Sequence, residues 1–113
     1  MSEEKRVTES SVGKPAVLED MIDYADGSIV SKTLIDKPVG TITLFAFDRG
    51  QKLSEHTAPY DAVVQIIDGS ADITIDGKVK TVCSGQLVVM PANIPHTVAA
   101  KEKFKMMLIM IRA

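Results

Sequence analysis

From Ser28 onward, short runs rich in Val, Ile, Thr and Phe are separated by Gly, Pro or Asp at fairly regular intervals. The breaks fall at Asp26-Gly27, Lys37-Pro38, Gly40, Asp48-Arg49-Gly50, Pro59, Asp68-Gly69, Asp76-Gly77, Gly85, Pro91 and Pro95. Many short strands with evenly spaced turns predict an all-β sandwich or barrel. Strands are expected near residues 28–35, 40–47, 51–57, 62–67, 70–75, 79–83, 86–90, 96–100 and 104–111. Before them, residues 1–14 are polar with no periodic apolar face and read as a mobile N-terminal arm, which leaves 15–113 as one domain. Val17, Leu18, Met21 and Ile22 fall at helical spacing after Pro15, so a short helix or single turn is expected there, ended by Gly27.

Two strands are apolar on both faces. In one, Ile42, Leu44 and Ala46 alternate with Phe45 and Phe47; in the other, Met106, Leu108 and Met110 alternate with Met107, Ile109 and Ile111. A solvated sheet face would alternate with polar residues, so something must cover the outside. A homodimer is expected, because one short arm is too small to cover both strands. Gln65 is placed on the outer face by its offset from Ala62, Val64 and Ile66. At Asp76-Gly77 the side-chain pattern favours a three-residue loop pairing Thr74 with Lys78, Ile73 with Val79 and Asp72 with Lys80.

At 113 residues and 45% hydrophobic content the chain can bury a real core, but with five aromatics that core must be mainly aliphatic and Met-filled. The net charge is −2, with acids and bases mixed, and no basic stripe points to nucleic acid or an anionic membrane. The longest purely apolar run, 106–111, is far below the roughly 20 residues that cross a bilayer. The polar start lacks a secretory signal, and a lone cysteine, Cys83, has no internal disulfide partner; both suit the cytoplasm. Cys83 is expected to be a small buried hydrophobe.

The candidate chemistry rests on the two histidines, His56 and His96. Gly50 is followed by five residues and His56; Gly85 is followed by five residues and Pro91, with His96 five further on. Residues 50–96 resemble the two-motif signature of the cupin family, small RmlC-like proteins with a jelly-roll-like barrel called a double-stranded β-helix. The resemblance implies a metal inside the barrel, held by His56 from the first motif and His96 from the second. It also places Ala58 where a further His is usual and Ala62 where a Glu is usual, while Asn93 and Ala100 replace a usual Gly and Asn.

Two imidazoles plus water can hold a divalent transition metal (Zn, Ni, Fe, Mn or Cu), but weakly, because stable sites have three or four protein ligands. The two alanines also enlarge the cavity and make it more apolar, which suits a small organic molecule. Ala58, Ala62, Tyr60, Met90 and Met106 are the expected pocket lining. Asp61 is one residue short of the Glu position and would need a strand bulge to turn inward; marking a strand start is the simpler role. Three functions follow from the resemblance: a metal-dependent enzyme acting on a small organic molecule, a non-enzymatic small-ligand or metal-binding cupin, and a metal-free sugar-nucleotide isomerase or epimerase. Scattered Lys and Arg make the third the weakest.

Overall fold

The computed structural model describes residues 12–112 and the backbone of Arg6–Val7. Among the described residues ten strands occur in chain order: β1 (Arg6–Val7), β2 (Ile29–Lys37), β3 (Gly40–Phe47), β4 (Lys52–His56), β5 (Asp61–Asp68), β6 (Ser70–Ile75), β7 (Lys78–Cys83), β8 (Leu87–Met90), β9 (His96–Ala99) and β10 (Phe104–Ile111). They form two antiparallel sheets, one ordered β1-β2-β3-β10-β5-β8 and the other β4-β9-β6-β7. The nine expected strands are all present. The helical spacing after Pro15 gives one 3₁₀ turn, Leu18–Asp20. Most of the expected arm lies outside the described residues; the backbone of Arg6 and Val7 pairs with Asp36 and Ile35.

The space between the sheets is closed at one end by packed side chains. Phe47, Ile66, Ile73 and Phe104 there are at most 1% exposed, and Phe47 stacks on Phe104 with ring centroids 4.6 Å apart. Gly69 makes the sharp β5–β6 corner beneath them with φ +74°, and a Cβ there would lie 2.6 Å from the Lys103 carbonyl oxygen. That corner excludes any residue with a side chain.

Outside the larger sheet, the chain before β2 covers this same end. Ile22 is buried against Leu44 and Ala46, with Met21 and Tyr24 alongside. The Tyr24 hydroxyl donates to Asp68 at 2.6 Å, and the Lys103 and Lys105 ammonium groups lie 4.8 and 4.9 Å from the Tyr24 ring centre. Lys105, itself buried, donates to the Glu19 carbonyl. Burial and the Asp68 carboxylate together raise the Tyr24 pKa well above its ordinary value.

The β6–β7 hairpin departs from the expected register. Ile75 pairs with Lys78, Thr74 with Val79 and Ile73 with Lys80. Asp76 and Gly77 take φ of +52° and +77°, the pair of left-handed residues a two-residue type I′ turn requires. Turn chemistry outweighs side-chain pattern because β7 is a sheet edge, where Lys80 keeps its ammonium in water although it shares a face with buried Ile73. Asp72 accordingly meets Thr81, at 3.0 Å, and Lys101, at 3.3 Å, instead of Lys80. Cys83 is exposed on that edge, and its neighbour Val82 takes the buried place.

Candidate functional site

The two histidines meet at the open end of the barrel. His96 begins β9 and is paired with Ile75 on β6 and with His56 on β4, so all three side chains share the inner face. Simple alternation would place His56 opposite Leu53. A bulge between Leu53 and His56, where β4 has one residue more than β9, returns His56 to the interior. The loop before β9 is fixed in three places. Asn93 takes φ +65° and donates its N–H to the Ala58 carbonyl at 2.7 Å. The Pro95 carbonyl accepts from the Asp76 N–H at 2.9 Å. The Asp61 carboxylate accepts the Ala92 N–H at 2.8 Å, so Asp61 supports the loop from outside the pocket.

Both rings are oriented by the backbone. His56 Nδ1 lies 2.9 Å from the Ser54 carbonyl, and His96 Nδ1 lies 3.2 Å from the Ile94 carbonyl. A carbonyl only accepts, so each Nδ1 carries its proton and donates, and each neutral ring keeps a lone pair on Nε2. The two Nε2 atoms are 3.0 Å apart, with the rings at 70°. Two lone pairs at that separation are favourable only with a proton or another cation between them. His96 is 7% exposed, whereas His56 is exposed at the mouth. Burial, and secondarily the nearby His56, lowers the His96 pKa; the bond to Ile94 opposes this. Burial thus favours the neutral, Lewis-basic form of His96 over the charged one.

Below the rings is a cavity of about 40 Å³, lined by Leu53, His56, Ala58, Tyr60, Ala62, Met90, His96, Val98, Met106, Leu108 and Met110. That is room for roughly two or three waters or a few heavy atoms. Seven of these eleven residues are those expected at the site or its lining from the sequence. Leu53, Val98, Leu108 and Met110 were not expected there, although period two from Met106 places Leu108 and Met110 on the same face.

A four-ligand metal centre, with the further His and the Glu usual in the family, does not fit this donor set; His56 and His96 are the two residues that would hold an ion. Ala58 and Ala62 line the cavity but offer no ligand atom, and among the described residues no three His, Cys, Asp or Glu side chains are grouped to hold a metal. What the site does offer is two convergent nitrogen lone pairs in an otherwise apolar pocket.

Comparisons with known proteins agree with this architecture. A family profile described as a cupin domain matches residues 43–112. A conserved protein of unknown function from Streptococcus pyogenes is 36% identical, with a TM-score of 0.90 over 95% of this chain and 94% of its own. A cupin 2 conserved barrel domain protein from Leptotrichia buccalis is 44% identical, with a TM-score of 0.79 over 82% of this chain and 45% of its own. A cupin superfamily protein from Desulfitobacterium hafniense is 27% identical, with a TM-score of 0.89 over 96% of this chain and 99% of its own. No curated protein matches the chain.

Proposed function

The chain belongs to the cupin family, and from that premise we propose that it is a cupin of reduced ligand set. In this reading the His56–His96 pair holds one transition-metal ion, and the small apolar cavity beside it admits part of a small organic molecule. The observation that carries the reading is the pair of Nε2 atoms 3.0 Å apart with both Nδ1 atoms committed to carbonyls. Carbonyl-anchored imidazoles are the usual support for metal-binding histidines, because the anchor fixes the tautomer and raises ligand basicity. Two bonds of about 2.1 Å to one ion put the nitrogens roughly 3–4.5 Å apart, so little movement is needed.

The rest of the chain acts on ligand and ion alike. Ala58 and Ala62 leave space, and Leu53, Val98, Met106 and Leu108 give it apolar walls, with Tyr60 also in the lining. The sugar-nucleotide alternative gains no support. The cavity is about 40 Å³ and no Lys or Arg lines it, against roughly 300–1,000 Å³ for ordinary ligand pockets.

The test is a titration of tag-free, ¹⁵N-labelled protein with Zn(II) and then Ni(II), followed through the ring nitrogens. We expect the Nε2 resonances of both histidines to respond together at one equivalent, while the Nδ1 signals keep their protonated character. Binding that survives unchanged in both His56→Ala and His96→Ala overturns the reading, as does an Nε2 pair that stays still at millimolar Zn(II) and Ni(II) and also with Cu(I).

A further inference from the structure

Resting on that two-histidine reading, we propose that the pocket is a copper(I) site, with the thioethers of Met90 and Met110 standing in for the two missing ligands.

The argument begins with strand register. Ala62 on β5 pairs with Met90 on β8 and with Met110 on β10. The three residues therefore form one cross-strand row on the inner face, and both methionines line the same cavity as His56 and His96. Directly paired residues in a sheet have Cβ atoms roughly 4.5–5.5 Å apart. The short Ala62 side chain thus leaves a gap flanked on each side by a methionine. Met has three rotatable side-chain bonds and is suited to swing its sulfur into such a gap.

Charge then selects the ion. No carboxylate, thiolate, Lys or Arg lines the cavity, and every donor there is neutral: two imidazoles, thioethers and one phenol. The cost of taking an ion from water into an apolar site grows with the square of its charge. A divalent ion normally offsets this with an anionic or polar ligand set that the cavity lacks. A monovalent ion has about a quarter of that cost to meet. Softness points the same way, since thioether sulfur selects Cu(I) and imidazole binds copper well. Copper(I) also accepts two or three ligands, so the histidines and one sulfur already complete it.

The decisive experiment is an anaerobic titration of the tag-free full chain with Cu(I), in competition with bicinchoninate, beside Zn(II) and Ni(II) titrations. We expect one Cu(I) per chain, bound at least 100-fold more tightly than either divalent ion. The copper K-edge EXAFS should contain a sulfur shell outside a nitrogen shell. In Met90→Leu/Met110→Leu, near-isosteric at both positions, Cu(I) affinity should fall at least 10-fold with Zn(II) affinity unchanged, and the sulfur shell should vanish. Single Met90→Leu and Met110→Leu variants serve if the double variant does not fold. A nitrogen-only EXAFS spectrum, unaltered Cu(I) affinity without the methionines, or Zn(II) binding as tightly as Cu(I) overturns the copper proposal and leaves the histidine pair standing. If His56→Ala and His96→Ala also bind all three metals as the parent does, or none of the metals binds the parent, the two-histidine reading falls and the copper proposal with it.

Discussion

The two ends of this barrel are built by the same strands and differ in almost every other respect. At the closed end, Phe47, Phe104, Ile66 and Ile73 fill the interior, and Ile22 and Tyr24 cover the outside. At the open end, the interior holds a cavity walled by alanines, methionines and two histidines. Outside that end, Val89, Val63, Ile109, Ile42 and Ile35 form a continuous apolar row across five strands. The difference separates two duties. One end supplies packing and holds the fold; the other accepts looser packing in return for a Lewis-basic pocket.

The sharpest break of that contrast is a cavity at the closed end. Phe104→Ala should cost about 3–5 kcal/mol, as large-to-small core changes do, whereas Met90→Leu at the open end should cost under about 1.5 kcal/mol. Urea denaturation of both variants compares them directly, and equal losses would mean that the two ends are equally committed to stability.

Restoring ligands should turn the open end into a four-ligand centre. Ala58→His with Ala62→Glu should raise Zn(II) or Ni(II) affinity by about 100-fold or more, since three or four donors replace two. Calorimetry showing no gain in a folded variant would show that these positions do not reach the metal.

Among the described residues nothing covers the Val89 end of the outer row, and we propose that a second copy of the chain does. Val89 is 52% exposed and the row carries no charge, while apolar patches of this breadth are unusual on monomers. Ultracentrifugation at micromolar concentration should give a dimer, and Ile109→Lys with Val63→Lys should give a monomer that keeps its strand content. A monomeric parent would leave the closed-end cover as the whole answer to the double-faced strands.

The smallest effect concerns how that cover is pinned. Asp48 accepts the Gly27 N–H at 2.7 Å, and bonds from the Gly27 and then the Arg49 backbone lower its pKa below the usual carboxylate range. A lowered pKa means that the unfolded state binds the proton first on acidification. The contribution is therefore complete above the unfolded carboxylate value of about 3.9 and is lost as pH falls through the folded value. Asp48→Asn should flatten the dependence of the melting temperature on pH below about 4; an unchanged acid limb would assign it to other carboxylates.

Much of this was legible in the residues themselves. Alternating apolar runs and Gly, Pro and Asp punctuation determined the nine strands after residue 28, because side-chain period and turn chemistry act locally. The cupin resemblance carried by the Gly-to-His spacings marked His56 and His96 as a pair. Asn93, where a Gly is usual, takes φ +65°, a conformation that Asn tolerates better than most residues. Tertiary structure decided the rest. The bulge in β4 turns His56 inward against simple alternation. The edge position of β7 lets Lys80 share a face with Ile73, so the Asp76-Gly77 turn set the register. Met110 joins the pocket through its pairing with Ala62. Each of these depends on which strand lies beside which, and therefore on contacts between residues distant in sequence, where local pattern carries no information.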